Sequence, residues 1–329
     1  MDKTKFLVKT AKILMEKESP VIHIFRPHRF QLRNALNSLS CWSSVKDDKY
    51  FLFNGAHILN EIPKEDPIYH MNPVQIVHGM DIFNCKGTKK DIFAIEDMTS
   101  LVVEAFIQGQ DPEDQANRVA SRLNELQRDC HKLLLTSKSF YGMRYLLSKL
   151  DFPVTDVSFN KEWASLCGFT QDELTKFIIP KLKSHPFFHN QNDIHILNMV
   201  HQSVGGYNFG NEVVTHPTLT QQFASDPVTF YTKPPQIYNK TQLSYLKKML
   251  PHEMFQAIWV AIHEETILNW SWDELSTLDW KTDRSNIAVK VLFEMGLLAS
   301  VDPEKLQLKF SNMFARRYFD QVLVPFLNK

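Results

Sequence analysis

The stretch that decides the fold is VIHIFRPHRFQLRNAL, residues 21–36. It begins with a short apolar run typical of a buried strand and ends with the first turns of a helix. Between the two lies a turn rich in arginine and histidine. A strand, a basic turn and a helix in this order form the layout of a phosphate-binding loop, because the amide groups at a helix N-terminus attract anions.

The residues of this turn differ from those that a phosphate-binding loop uses. Such a loop needs glycines that let the backbone curl around phosphates, a lysine that reaches them, and a serine or threonine that holds Mg²⁺. At those places the chain has Gln31, Leu32 and Arg33. The turn is therefore either an anion-attracting site or a solvated basic turn that pairs with nearby acids. The candidate anion-binding residues are Arg26, His28, Arg29, Gln31 and Arg33.

Composition limits the classes of protein that this chain can form. Its 329 residues suffice for one large or two ordinary domains, and a hydrophobic content of 43% supports a substantial core. Lysine plus arginine and aspartate plus glutamate number 37 each, which gives no overall attraction to nucleic acid or anionic membrane. The four cysteines form no CxxC pair and are typical of thiols in a reducing compartment. We expect no signal peptide and no membrane span.

Periodic apolar positions predict an α/β first half. A capped start at Asp111 and Pro112 supports the longest of its helices. The predicted helices cover residues 4–18, 34–45, 98–108 and 112–131. The predicted strands cover residues 21–25, 73–77, 80–83 and 132–137.

The second half is predicted to be mostly helical. Thr170 with Glu173 forms a capping box that opens a helix, which we expect to end at Pro180, and Ser271 with Glu274 repeats the device. Helical patterns fill residues 239–268. A helix, a glycine and two short apolar runs around VDPEK follow, which suggests a winged-helix-like unit before a closing amphipathic helix.

Several segments, taken in order, resemble a known family. The chain resembles the AAA-ATPase-like proteins, P-loop ATPases that are often fused to a PD-(D/E)XK nuclease domain. No single segment is specific, and the order of the segments carries the resemblance. The matching segments are MDKTKFL (1–7), RPHRFQLRNAL (26–36), LFNGAHI (52–58), MNPVQIVHGMDI (71–82), VTDVSFNKEWASLCGFTQDEL (154–174), GGYNFGNEVVTHPTLTQQFA (205–224) and VLFEMGLLASVDPEKLQLKFSN (291–312).

The chain departs from this family at the positions that carry chemistry. Gln31, Leu32 and Arg33 replace the family's Gly-Lys-Ser, and we recognise no acidic Walker B segment. Either KLLLTS (132–137) is a later strand and the Walker B segment is lost, or KLLLTS is that segment without its acids. Both alternatives remove the carboxylates that position Mg²⁺ and the attacking water. Phosphoryl transfer depends on positioning and electrostatics, so we expect little catalysis.

The resemblance implies an α/β fold class with two domains. A P-loop-NTPase-like parallel-sheet domain is expected over residues 1–150, and a mostly α-helical lid with a winged-helix-like end over residues 151–329. We expect a catalytically degenerate ATPase-like protein that acts as a protein-binding scaffold or effector, with residual weak nucleotide or anion binding. The alternatives are an active ATPase that uses Arg33, and a nucleic-acid-binding module that uses the arginine turn with Arg316 and Arg317.

Other motifs favour neither a catalytic nor a metal site. HEETI (263–267) has Ile267 where a zinc motif has its second histidine, and the histidines between 185 and 201 do not share one helical face. We expect no cofactor. The resemblance implies ATP with Mg²⁺, but the departures described above argue against it.

The expected partner is a protein, with nucleic acid as the alternative. TFYTKPPQIYN (229–239) and nearby tryptophans are either a partner-binding surface or helix-core packing. We expect a cytoplasmic protein. A composition rich in His, Asn, Lys, Phe and Ile suits an AT-rich genome, and the alternative is export from such a bacterium into a host cell.

Overall fold

The chain forms two units. The first comprises Asp2–Arg26 and Leu32–Ser158, and the second comprises Pro27–Gln31 and Phe159–Lys329. The structure is a computed structural model that describes residues 4–16, 21–28, 30–44, 66–130, 132–139, 142–210, 212–236, 238–250, 260, 268–269, 289, 291–302 and 307–327. The last strand of the first unit, at Val154–Asp156, lies beyond the residue-150 boundary drawn from sequence.

A five-stranded, all-parallel sheet is the centre of the first unit. Its spatial order is β2-β3-β4-β1-β5. The strands β1, β3 and β4 are almost wholly buried, as expected of parallel strands covered on both faces. The predicted α/β class is confirmed. The strands are β1 (Val21–Phe25), β2 (Val74–His78), β3 (Ile92–Glu96), β4 (Lys132–Ser137) and β5 (Val154–Asp156).

Helices flank this sheet. In α4 the side chain of Asp111 accepts hydrogen bonds from the first turn, and a stripe from Ala116 to Leu126 is buried. The predicted strand at 80–83 is wrong: these residues lie in a 3₁₀ helix, Gly79–Asn84. The α-helices are α1 (Thr4–Met15), α2 (Leu32–Ser44), α3 (Ser100–Gln108), α4 (Pro112–Cys130) and α5 (Met143–Ser148).

The second unit is mostly helical in its described part. Two small antiparallel sheets accompany the helices: β6 (Tyr207–Asn208) with β7 (Val213–Val214), and the order β8-β10-β9. Its helices are α6 (Gln171–Glu173), α7 (Ile179–Lys183), α8 (Asp193–Val204), α9 (Pro217–Ser225), α10 (Pro227–Thr232), α11 (Lys240–Met249), α12 (Met313–Tyr318) and α13 (Val324–Leu327). The second sheet contains β8 (Leu268–Asn269), β9 (Leu298–Asp302) and β10 (Gln307–Phe310).

The predictions of helix caps and of the C-terminal hairpin in this unit are confirmed in part. The capping box of Thr170 and Glu173 forms as predicted. The helix does not end at Pro180, because a π-helical segment, Leu174–Ile178, leads into α7, where Pro180 occupies a first-turn position that needs no amide donor. The predicted order of helix, glycine and hairpin is confirmed, with helical residues 291–294, Gly296 at φ 71° and then β9 and β10. The Ser271 capping box and most of the 239–268 helix lie outside the described residues.

Among the residues that the structure describes, no helix is both long enough and apolar enough to cross a lipid bilayer.

Candidate functional site

The carboxyl edge of the parallel sheet is the place where a ligand site is expected in this fold. In the order β2-β3-β4-β1-β5, the chain leaves β1 toward β2 in one direction and leaves β4 toward β5 in the other. Ligands of open α/β sheets bind where the connections that leave two neighbouring strands, here β1 and β4, run in opposite directions. The residues that follow the relevant strands are Arg26 after β1, Asp97 after β3 and Lys138 after β4.

Two carboxylates that the sequence analysis missed lie at this edge. Glu96 is the last residue of β3, and Asp97 follows it. The side chain of Glu96 is 2% exposed and that of Asp97 is 14% exposed. The sequence analysis recognised no acidic segment here; KLLLTS is β4, and Glu96 and Asp97 lie at the end of β3, the strand beside it. The sequence signal that could have located these two acids is IFAIED (92–97), a short apolar run typical of a strand that ends in two acids.

The backbone holds Asp97 in one arrangement. Its φ is +60°, a left-handed conformation that is costly for a residue with a Cβ atom. Its amide donates to Thr136 Oγ1 over 3.1 Å, and its Oδ1 accepts from Thr99 Oγ1 over 3.1 Å and from the Lys138 amide over 3.2 Å. Gly79 gives the space, since a Cβ atom there would lie 2.2 Å from the Asp97 carbonyl oxygen.

Two cationic side chains of the same unit neutralise the acids. Lys138 Nζ lies 3.0 Å from Glu96 Oε1 and 3.8 Å from Asp97 Oδ2, so one ammonium bridges both carboxylates. Arg33 Nε lies 3.4 Å from Glu96 Oε2. Charges of opposite sign are thus balanced within the protein itself.

Backbone amides of the turn are used within the protein. In a phosphate-binding loop such amides point at the ligand. Here the amide of Arg26 donates to Ser137 O over 3.2 Å, that of His28 donates to Glu294 O over 2.9 Å, and that of Phe30 donates to Pro27 O over 3.3 Å. These donors are therefore already satisfied.

The predicted anion-binding residues lie in different environments. Arg26 is fully buried, and its Nη1 donates to Phe25 O over 2.7 Å and to Ser158 O over 2.6 Å. The Arg33 side chain is 65% exposed and faces Glu96. Arg29 lies outside the described residues.

Residues 27–31 belong to the second unit by their contacts. The ring of Phe30 is 1% exposed and packs within 5.3 Å of the rings of Tyr207, Phe209 and His216. His28 Nδ1 lies 3.0 Å from Gln242 Nε2. A buried aromatic residue thus fixes the turn in an aromatic cluster.

Gln31 has the backbone conformation of a glycine. Its φ is +57°, in the left-handed region that favours glycine. Its side chain makes one exposed hydrogen bond, from Nε2 to Gln221 Oε1 over 3.3 Å. The turn therefore has a glycine-like geometry at a residue that carries a side chain.

These residues do not fit a triphosphate with Mg²⁺. Amides of the turn donate to carbonyl groups, Arg26 is buried, and the acids that a metal needs are paired with Lys138 and Arg33. No group of three or more His, Cys, Asp or Glu side chains within the described part of the chain is arranged to hold a metal ion.

A row of Ser137, His23 and Asp156 lies on one face of the sheet, with Ser137 and His23 buried and Asp156 exposed. His23 Nε2 is 2.8 Å from Ser137 Oγ, and His23 Nδ1 is 3.4 Å from Asp156 Oδ1. Burial raises the pKa of the Asp156 carboxyl, but His23 and the hydrogen bonds from Ser158 outweigh burial and lower this pKa to about 2. The spacing is that of a catalytic triad, but His23 and Ser137 are fully buried, so the row is interpreted as structural.

The second unit contains a groove of about 990 Å³. It is lined by α9, α10 and the segment 233–236, together with residues 321–322. Its lining combines amide and hydroxyl side chains with Phe230, Pro234 and Pro235. The predicted partner-binding stretch 229–239 supplies much of this lining.

The two arginines predicted to bind nucleic acid lie on α12 in the same unit. Arg316 and Arg317 are both half-buried. Arg317 borders a small cavity with Ser203 and Phe230. Their role in nucleic-acid binding stays a prediction.

No protein-family model, no curated protein and no solved structure matches this chain significantly.

Proposed function

We propose that this chain is a catalytically degenerate ATPase-like protein that binds another protein and does not turn over nucleotide. The observation that carries the proposal is the pairing of Glu96 and Asp97 with Lys138, and of Glu96 with Arg33, at the carboxyl edge of the sheet. In an ATPase, carboxylates at such an edge hold Mg²⁺ and orient the attacking water. Here they are neutralised by side chains of the protein.

The turn supports the same proposal. Glycine-like geometry at Gln31 and the five-stranded parallel sheet are consistent with a phosphate-binding ancestor. The satisfied amides of Arg26, His28 and Phe30 leave these donors without a free hydrogen for a phosphate oxygen. Catalysis of phosphoryl transfer requires both the amides and the metal, so their joint diversion removes activity.

The groove on the second unit is the proposed protein-binding surface. The β9–β10 hairpin of the same unit is proposed to belong to a winged-helix-like end. The groove contains amide side chains, Phe230 and a Pro-Pro pair. Aromatic and proline residues beside amide groups suit an extended partner segment, which can bury apolar side chains and pair its own backbone.

Phosphate release from Mg-ATP by the purified chain tests the catalytic half of the proposal. We expect the rate to equal the background rate without protein. Release above background that disappears in Arg33→Ala would establish the alternative of an active ATPase. A gel shift of DNA or RNA that Arg316→Ala and Arg317→Ala abolish would establish the nucleic-acid alternative.

Affinity capture with matched variants tests the binding half. Gln222 and Thr229 are exposed residues of the groove, and Asp172 is an exposed residue of the same unit outside its lining. We expect a captured protein to be lost with Gln222→Arg/Thr229→Arg and retained with Asp172→Arg. Equal capture by both variants would remove the groove from the proposal.

A further inference from the structure

The ammonium group of Lys138 lies between two carboxylate oxygens, one from Glu96 and one from Asp97. Its nitrogen lies 3.0 Å from Glu96 Oε1 and 3.8 Å from Asp97 Oδ2. Without the ammonium, the same two carboxylates would attract a divalent cation that prefers oxygen ligands. One covalently attached positive charge therefore occupies the position of an ion.

The surroundings of the carboxylates are arranged as they are around ligands of a metal. Asp97 Oδ1 accepts hydrogen bonds from Thr99 and from the Lys138 amide, which turn Oδ2 toward the ammonium. Glu96 Oε2 is buried and makes no hydrogen bond with the described residues; Arg33 Nε faces it at 3.4 Å. A buried carboxylate oxygen without a hydrogen bond is costly unless a cation lies opposite.

We infer that Lys138 is a built-in substitute for a divalent cation, and that Glu96 and Asp97 form a latent site for Mg²⁺ or Mn²⁺ which this lysine closes. The inference rests on the proposed function, since it explains how the acids remain while metal-dependent chemistry is lost. Arg33 is 65% exposed and can turn toward solvent, whereas Lys138 is 25% exposed and bridges both acids. Lys138 is therefore the group that decides whether the site is open.

Binding of Mn²⁺ alone, followed by electron paramagnetic resonance of the free ion, tests the inference without nucleotide. The variants are Lys138→Ala and Lys138→Gln, of which the second keeps a hydrogen-bond donor. Lys89→Ala is the matched control, because Lys89 is an exposed lysine that precedes the amino end of β3. Thermal unfolding of each variant establishes that it is folded.

We expect the Kd for Mn²⁺ to fall at least about tenfold in a folded Lys138 variant and to stay unchanged in Lys89→Ala. Adding Glu96→Gln to the Lys138 variant should return the Kd to that of the wild type. Folded Lys138 variants that bind Mn²⁺ no more tightly than Lys89→Ala would overturn the inference. The inference would also be overturned if the wild-type protein bound Mn²⁺ and Glu96→Gln alone abolished that binding. Mg-ATP turnover by the wild type would instead refute the proposed function, so the two failures are distinguishable.

Discussion

Replacement of Gln31 by glycine is expected to stabilise the protein, although glycine usually does the opposite. Gln31 has a φ of +57°. A left-handed backbone costs a residue with a Cβ atom roughly 1–2 kcal/mol. Glycine avoids this cost but loses roughly 0.5–1 kcal/mol through the greater freedom of its unfolded chain. The difference is about 0.5–1 kcal/mol, but glycine also loses the side-chain hydrogen bond to Gln221, worth about 0.5 kcal/mol, so Gln31→Gly is expected to be more stable by up to about 0.5 kcal/mol.

Gln31→Ala is the matched control because it keeps the Cβ atom and loses only the side chain's 3.3 Å hydrogen bond to Gln221. An exposed hydrogen bond of this kind is worth about 0.5 kcal/mol. We expect urea unfolding to give the stability order glycine, glutamine, alanine, and thermal unfolding to give a melting temperature about 1 °C higher for glycine than for glutamine. A glycine variant no more stable than the alanine variant would refute the reasoning, since both lack the same hydrogen bond.

Two further variants and a pH series test other features of the first unit. Gly79→Ala is expected to cost about 3 kcal/mol in the free energy of unfolding, because its Cβ would lie 2.2 Å from Asp97 O. Gly109→Ala, whose Cβ would meet nothing within 4 Å but whose φ is +76°, is expected to cost about 1 kcal/mol. Acid should weaken the interaction of Asp156 with His23. The pKa of the Asp156 carboxyl is about 2 in the folded protein, below its unfolded value of 3.8. The contribution of Asp156 to the free energy of unfolding is therefore complete above about pH 5 and is lost as the pH falls toward 2. The Asp156 side chain is 46% exposed, so this contribution is about 1 kcal/mol after screening, and the difference between wild type and Asp156→Asn should shrink by that amount between pH 5 and pH 2.

Equal losses in the two glycine variants, measured by urea unfolding, would contradict the close approach at Gly79. A difference between wild type and Asp156→Asn that stays constant down to pH 2 would show that the Asp156 carboxyl has the same pKa in the folded and unfolded chains.

Local signals predicted α1 to α4 and three of the five strands of the first unit's sheet, and missed α5, β3 and β5. VIHIF and KLLLTS are continuous apolar runs, and both form strands; the apolar stripe behind Asp111 forms α4. MDIF has the same kind of apolar content but follows Gly79, which packs against Asp97 and turns the chain into a 3₁₀ helix. That outcome depends on a contact with Asp97, 18 positions further along the chain, so no local pattern encodes it.

The candidate site was predictable only in part, for the same reason. The turn around Arg33 was recognised from its own sequence, but its partner Glu96 is brought to it by the order of the strands. Lys138 meets Glu96 from 42 positions along the chain. A charge pair across that separation depends on β3 and β4 being neighbours in the sheet, which local sequence patterns do not show.

The ammonium of Lys138 cannot diffuse away from Glu96 and Asp97, because a covalent chain holds it there. A bound ion has an occupancy that rises and falls with its supply, and a chelator can strip it. A tethered charge has a constant local concentration instead. The positive charge that balances the carboxylates at this edge is therefore part of the polypeptide, and dilution, dialysis or a change in magnesium concentration does not remove it.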